Sequence, residues 1–282
     1  MDDTFLLRFL RARRFDYDGA FQLICDYYNL YANNQELFVP IEKLKCLFDF
    51  NVMTIANGRS IRDETVFLLR LGKWNPRKFS FDDIIAASIM SMEMIIKDDV
   101  TQINGVVCAI DMAGFGWHQL RKFGPSQAKK VIHILDKCLP VRIKTIYVVN
   151  ESTLADIGFA IMRPFMSEEL HDKIIFCGSN FNTLHQNIAP EILPSEFGGH
   201  FSKICSQDWY KQLCQFEPEM NENFQEYGFV SNEPTNDTKC INICRGKYSE
   251  SAYTGTDMKS LFRKSQTCNG YLFDYYNTAS VD

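Results

Sequence analysis

The sequence lacks any apolar run long enough to cross a membrane as a helix. Its longest nearly apolar stretch, residues 84–96, contains Ser88, Ser91 and Glu93 and is shorter than the ~20 residues that a spanning helix needs. This pattern predicts a buried helix, in which Glu93 is interpreted as a hydrogen-bonded structural carboxylate. No basic segment followed by an apolar one opens the chain, so no signal peptide is visible and we expect a cytoplasmic protein.

An excess of basic residues is also missing. The 282 residues include 30 Lys and Arg against 35 Asp and Glu, a formal net charge of -5, so no nucleic-acid partner is expected. The ten cysteines are scattered through apolar segments and do not form the dense framework of a small disulfide-bonded domain. Because 46% of the residues are hydrophobic, the chain is expected to bury a large core.

Motifs that would indicate an enzyme are absent or incomplete. The chain has no Gly-x-Ser-x-Gly nucleophile elbow. Gly114 and Gly116 follow a predicted strand, as in a dinucleotide-binding turn, but Gln119 stands where a third glycine is needed. An oxidoreductase is therefore disfavoured. The histidines form no cluster, and Cys240 and Cys244 lack a second pair of metal ligands, so we expect no metal, no cofactor and no catalysis.

The N-terminal part, residues 1–40, is predicted to be a helical subdomain. Apolar residues recur at helical spacing over residues 4–38, which indicates a hairpin of two helices in which Asp18 caps the second. The hairpin begins abruptly at residue 4, so we expect a truncated or alternatively started form.

Strand and helix patterns then alternate over residues 41–212. Apolar β-type runs lie at residues 65–71, 105–112, 142–149 and 174–177, and helical patterns lie at residues 81–97, 127–138, 153–162 and 167–173, the first of them capped by Ser80. This alternation predicts an α/β fold, a mostly parallel β-sheet with flanking helices. Residues 213–282 are polar and without periodicity, which predicts a poorly ordered tail.

Two segments suggest binding rather than catalysis. The predicted helix at residues 153–162 is apolar on nearly every side, so it is either a core helix or a lid that exchanges one apolar partner for another. The polar residues 150–152 and the segment 163–165 could act as its hinges. Arg142 and Lys144 are two apart on a predicted strand and point to one side, which is either the start of an anion site or a solvated strand end.

Six motifs, in order, resemble the CRAL-TRIO lipid-binding family and its tocopherol-transfer, retinaldehyde-binding and clavesin-like members. They lie at residues 5–16, 110–115, 125–130, 140–144, 163–168 and 192–199. The resemblance covers about residues 4–212. It implies that the α/β domain encloses a hydrophobic cavity beneath a mobile gate helix.

The resemblance also implies two sets of binding residues. Phosphoinositide-binding cations fall on Arg13, Arg142, Lys144 and Lys173, whereas a further family lysine falls on Glu169. The hydrophobic pocket falls on Ser88, Met92, Val106, Cys108, Ile110, Trp117, Val131, Ile134, Leu135 and Ile146. The gate residues are Leu154, Ile157, Ile161, Met162 and Phe165. Met92 replaces a serine of the tocopherol carrier, so tocopherol itself is disfavoured.

These features predict an intracellular carrier of a small tocopherol-, retinoid- or sterol-like lipid. Gate opening would be coupled to phosphoinositide binding at endosomal or other intracellular membranes, where the protein associates peripherally. The alternative is a phosphoinositide-sensing adaptor in vesicle trafficking that recruits proteins through its tail without bulk lipid transfer.

Overall fold

The computed structural model describes residues 3–201 and 204–226, so most of the predicted tail lies outside the described residues. The α-helices are α1 (Asp3–Ala12), α2 (Tyr17–Asn33), α3 (Lys45–Asp49), α4 (Phe81–Ile95), α5 (Asp99–Asn104), α6 (Trp117–Leu120), α7 (Pro125–His133), α8 (Thr153–Met162), α9 (Glu168–Asp172), α10 (Asn182–His185) and α11 (Gln207–Glu226). The strands are β1 (Met53–Arg59), β2 (Thr65–Arg70), β3 (Val106–Asp111), β4 (Ile143–Val149) and β5 (Ile174–Phe176). Short 3-10 turns lie at Gln35–Leu37, Ile41–Leu44, Leu71–Lys73, Arg163–Phe165, Pro190–Ile192 and Ser195–Phe197.

The predicted α/β fold is confirmed by a five-stranded sheet in the order β1-β2-β3-β4-β5. Strand β1 pairs antiparallel with β2, and the later pairs are parallel. The parallel strands are connected through helices, which pack on the sheet as this topology requires. Strand β1 was missed by the sequence analysis because its residues Met53–Arg59 include Asn57 and Gly58, which are typical of turns.

The two faces of the sheet bury different partners because side chains alternate along each strand. On one face, Phe67, Cys108 and Ile146 join the large core cluster, which also includes side chains of α4, α7 and α8. On the other face, Val107 and Tyr147 belong to a second cluster with the segment 181–204. A cavity lies within the first cluster. The second cluster covers the opposite face of the sheet.

Strand β4 carries a bulge at Lys144. Val106 pairs with Ile143 and Val107 pairs with Thr145, so Lys144 has no opposite residue in β3. A bulge of this kind re-aims side chains, and it lets both Ile143 and Ile146 face the cavity although they are three apart. The strand begins at Ile143, so Arg142 lies just before the strand and not within it, as the sequence pattern had predicted.

The N-terminal hairpin of α1 and α2 is attached to the α/β part by a buried ion pair. Nη1 of Arg8 donates to Oε2 of Glu93 at 3.0 Å, and Nη2 donates to the Tyr27 hydroxyl at 3.1 Å. Burial alone would lower the pKa of Arg8, but Tyr27 and Glu93 together raise it above its ordinary value. The structural reading of Glu93 is therefore confirmed.

Two expected helix ends differ in the structure. Helix α2 is preceded by Asp16 and not by Asp18, and no side chain caps it; Asp18 instead lies in the first turn, where a carboxylate favours the helix dipole. Ser80 does cap α4, in a capping box with Asp83. The predicted helix at residues 127–138 consists of α7 followed by a π-helical turn, Ile134–Cys138.

The predicted tail boundary at residue 213 is wrong because α11 runs through it. Leu213, Phe216 and Met220 are buried in the main core, and Nε1 of Trp209 donates to the Ser91 hydroxyl of α4 at 3.0 Å. The apolar side chains of α11 are widely spaced among polar ones, which is why the segment resembled a tail. The folded part extends at least to the end of this helix.

Candidate functional site

A cavity of about 190 Å³ lies between the sheet and helices α4, α7 and α8. Its wall consists of apolar and aromatic side chains almost throughout. The wall residues are Phe67, Leu69, Leu71, Trp74, Phe81, Ile84, Ile85, Ser88, Ile89, Met92, Cys108, Ile110, Met112, Phe115, Phe123, Val131, Ile132, Ile134, Leu135, Leu139, Ile143, Ile146, Val148, Ala155, Gly158, Phe159, Met162, Met166, Leu170, Ile174 and Phe176. Such a concave apolar space is typical of a small-molecule site.

Most of the predicted pocket residues are in this wall. The structure places there Ser88, Met92, Cys108, Ile110, Val131, Ile134, Leu135 and Ile146. Two predicted residues lie elsewhere. Val106 is fully buried in the core at the amino end of β3, where its N–H donates to the Arg142 carbonyl. Trp117 begins α6 with 59% of its surface exposed, so the expectation that it lines the pocket is corrected.

Helix α8 covers the cavity with one face. Ala155, Gly158, Phe159 and Met162 line the wall, at the spacing that places residues on one side of a helix. Gly158 lies close to Phe115 and Leu120, because a Cβ there would be 3.8 Å from each side chain. The inward face is thus apolar, as a cover packed over a cavity requires.

The remaining predicted gate residues lie on the other sides of α8 and beyond its end. Leu154 and Ile161 are half-buried against the core, whereas Ile157 and Phe165 are exposed at 42% and 36%. Phe159 contacts the half-exposed Phe176 at the sheet edge, with ring centroids 4.8 Å apart. Because apolar surface faces both inward and outward, α8 combines features of a core helix and of a lid.

The residues before α8, which were predicted to act as a hinge, are fixed to the carboxyl end of the sheet. Asn150 adopts a positive φ of 55°, its Nδ2 donates to Asp111 at 2.9 Å, and its N–H donates to the Gly178 carbonyl at 2.8 Å. The Gly178 N–H in turn donates to Glu151 at 2.8 Å. Arg70 contributes further charge to the network, with its Nε 3.7 Å from Asp111. The segment before α8 is therefore held by the side chains of Asp111, Asn150 and Glu151, each of which can be substituted separately.

The four predicted headgroup cations meet at the opposite, amino end of the sheet. Arg142 donates to the Ile103 carbonyl at 2.7 Å and Arg13 lies 3.4 Å from the Asp136 carbonyl. Burial lowers the pKa of Lys144 below its ordinary value, and the charge of Arg142 lowers it further. Glu64 opposes this shift, and Arg14 and Lys173 add smaller lowering effects. These cations therefore lie close enough for their charges to act on the same groups. We call this set of residues the basic cleft: Arg13, Arg14, Arg142, Lys144 and Lys173.

Glu169 partly neutralises the basic cleft. Its carboxylate accepts from Nζ of Lys173 at 2.8 Å. Lys173 lowers the pKa of Glu169, with smaller effects from Arg13 and Arg14, so the carboxylate stays charged. Arg14, with a positive φ of 52°, was not singled out by the sequence analysis, and only the basic run at residues 11–14 could have indicated it.

The π-helical turn connects the basic cleft with the cavity wall. Its residues Ile134 and Leu135 line the cavity. Asp136 of the same turn accepts from Arg13 through its backbone carbonyl and from the Ser167 hydroxyl, at 3.2 Å, through its carboxylate. Ser167 caps α9, which follows the gate helix. Sequence periodicity could not have distinguished this turn from ordinary α-helix.

A tryptophan at position 131 tests whether the cavity is real space. We expect Val131→Trp to leave the melting temperature of the ligand-free protein nearly unchanged, because the larger ring enters the cavity, and to abolish the stabilisation that a bound ligand gives. Differential scanning calorimetry measures both effects. Val107→Trp is the matched control, since Val107 is fully buried in the solid second cluster and should suffer overpacking of about 1–3 kcal/mol. A fall as large for Val131→Trp would mean that the region is packed solid.

An apolar cavity beneath a helix, beside a basic cleft, defines the class of α/β proteins that enclose a small hydrophobic molecule. The comparisons with known proteins agree. The CRAL/TRIO domain matches residues 49–199, and the CRAL/TRIO N-terminal domain matches residues 1–26. The chain belongs to the CRAL/TRIO family of lipid-binding and lipid-transfer proteins, and the predicted resemblance is confirmed.

The chain is similar to tocopherol-transfer-like proteins and to clavesins. It is 35% identical over 226 residues to the alpha-tocopherol transfer protein-like proteins of Mus musculus and Homo sapiens, which covers 79% of this chain and 66% of each relative. It is 32% identical over 243 residues to clavesin-2 of Rattus norvegicus, covering 82% of this chain and 73% of that protein. The chain thus spans slightly less than two thirds of the tocopherol-transfer-like relatives.

Two kinds of feature are absent from the described residues. No helix in residues 3–201 and 204–226 combines the length and hydropathy that a membrane span requires. The same part of the chain contains no group of three or more His, Cys, Asp or Glu side chains placed to hold a metal ion.

Proposed function

We propose that this protein carries one small hydrophobic lipid of tocopherol, retinoid or sterol size in its cavity and transfers it between membranes. The observation that carries the proposal is the apolar cavity covered by α8. Burying about 300–500 Å² of ligand surface at ~25 cal/mol/Å² provides roughly 8–12 kcal/mol before the entropic costs of binding. This is sufficient for submicromolar affinity.

Release is proposed to occur at an anionic membrane. The basic cleft supplies charge for a phosphatidylinositol bisphosphate headgroup. The exposed apolar side chains of Ile157, Phe165 and Trp117 are of the kind that enter the lipid interface. Binding of the headgroup would favour the open gate because Lys173 and Asp136 are both near the segment that follows α8. The protein would then act peripherally at endosomal or other intracellular membranes.

Native mass spectrometry of the purified full chain tests the carrier function. A co-purified apolar small molecule is expected, and vesicles that contain phosphatidylinositol bisphosphate should accelerate its loss. An empty protein that binds such vesicles tightly would instead support the trafficking adaptor, whose protein partners would bind the segment after α11, residues 227–282. A bound nucleotide would contradict both.

The lowered pKa of Lys144 provides a pH test of headgroup binding. A bound phosphate favours the charged amine and raises this pKa. Between the lowered value and the ordinary 10.5, binding should take up protons, and affinity should fall as the pH rises and Lys144 loses its charge. Isothermal titration calorimetry with a soluble inositol phosphate, in two buffers of different ionisation enthalpy, measures the uptake. Lys144→Gln should reduce it, and an equal uptake in that variant would contradict the assignment.

A further inference from the structure

The polar groups of the cavity wall are already occupied by partners within the protein. Ser88 donates its hydroxyl to the Ile84 carbonyl at 2.8 Å, one turn earlier in α4. Nε1 of Trp74 donates to the Phe79 carbonyl at 3.0 Å. Both donors in the wall that could form a strong hydrogen bond with a ligand are therefore satisfied by backbone oxygen atoms.

The third group in the wall with a hydrogen to donate is the Cys108 thiol. Burial raises its pKa to about 12, so it remains a neutral thiol and a weak donor. Around it, the backbone N–H groups of β3 are used on both sides of the strand, in the parallel ladders with β2 and β4. This part of the wall also offers nothing strong to an acceptor on a ligand.

Charge is absent from the wall as well. None of the wall residues, all of which the structure describes, is Lys, Arg, His, Asp or Glu. A ligand hydroxyl could still donate to Oγ of Ser88, which retains a lone pair. A carbonyl or a carboxylate, which can only accept, would be desolvated without compensation when enclosed here.

We propose that the lipid carried by this protein is hydrocarbon-like over its whole buried length, an isoprenoid or sterol-type molecule with no carbonyl or carboxylate group. The proposal rests on the proposed carrier function and specifies its substrate class. Alcohols are tolerated through Ser88, whereas fatty acids and aldehyde lipids are rejected. The wall has no free strong hydrogen-bond donor, so a lipid with a carbonyl or carboxylate binds less tightly than a hydrocarbon of the same shape. A site without hydrogen-bonding groups discriminates against polar analogues in this way.

A series of ligands on one skeleton tests this class. Vesicles containing equal amounts of phytane, phytanol and phytanic acid, which differ only in the terminal group, are incubated with the full chain, and the lipid bound to the re-isolated protein is quantified by mass spectrometry. Phytane should be bound at least about tenfold more than phytanic acid, with phytanol between them. Phytanic acid bound as well as phytane would overturn the proposal.

A donor introduced into the wall should change the selectivity. Met92→Gln places an amide N–H in the cavity with little change in volume, and it should reduce the preference for phytane over phytanic acid several-fold. Met90→Gln is the matched control, since Met90 is a buried residue of the same helix that is not part of the wall, and it should leave the preference unchanged. An equal change in both variants would contradict the role of the wall.

The series also separates this proposal from the carrier function itself. If none of the three compounds is bound, the lipid found by native mass spectrometry tests the substrate class and the carrier function separately. A co-purified fatty acid or carbonyl lipid would overturn the substrate class and leave the carrier function standing. A protein with no bound lipid after any treatment would overturn the carrier function.

Discussion

Replacing Lys144 and Lys173 together by glutamate is expected to weaken binding to vesicles that contain phosphatidylinositol bisphosphate by at least about a hundredfold. Each reversal changes the local charge by two, and a basic residue at an anionic surface contributes about 1 kcal/mol. The loss should be greatest at low salt, because the attraction that the two substitutions remove is screened as ionic strength rises. Vesicle sedimentation at two salt concentrations measures the effect.

The matched control changes the same net charge at a distance from the basic cleft. Lys45 and Lys211 are exposed and form ion pairs with Asp49 and Asp208 of their own helices. Lys45→Glu with Lys211→Glu should retain most of the vesicle binding. Equal losses in the two double variants would show that binding depends on net charge alone, and the headgroup site would then be abandoned.

A carboxylate on the inner face of helix α8 is expected to abolish ligand retention. Met162→Asp brings an ionisable group into the apolar wall, where an enclosed charge without a partner costs several kcal/mol. The variant should lose co-purified ligand and the accompanying thermal stabilisation, with the fold of the ligand-free protein preserved according to circular dichroism. Native mass spectrometry gives the fraction of protein that retains ligand.

The same substitution on the outer face should have a different effect. Ile157 is exposed on α8, so Ile157→Asp should leave ligand retention unchanged while weakening partition into vesicles, since an apolar contact with the lipid interface is lost. If Ile157→Asp also empties the cavity, the two faces of α8 do not have separate roles. If Met162→Asp retains its ligand, the helix does not close the cavity.

The fold was largely predictable where apolar runs were long. Strands β2 and β3 are almost wholly apolar before their last residue, and strand β4 ends in an apolar run at residues 146–149. Helix α8 has the predicted ends at Thr153 and Met162. Edge strand β1 and helix α11 were missed, because an edge strand buries little and α11 intersperses its apolar residues with polar ones. Local pattern is informative only where burial is nearly complete.

The candidate site was predictable in composition but not in orientation. The wall residues of α4 and β3 were identified through the family resemblance, whereas the direction of Trp117 depends on where the short helix α6 begins. For α8, apolar residues on every side gave no indication of which face lies inward. The bulge at Lys144 and the π-helical turn arise from tertiary packing, and neither has a local sequence signature.

The sequential order of the five strands has a consequence for how the protein folds during synthesis. Each strand pairs with its immediate predecessor, so the sheet can grow by one strand at a time as the chain leaves the ribosome, without waiting for distant partners. All the residues of the cavity wall precede residue 177. Helix α11 is the last element of the described residues, and its Trp209 donates a hydrogen bond to Ser91, 118 residues earlier in the chain. All the residues of the cavity wall are therefore synthesised before α11, which then packs against α4.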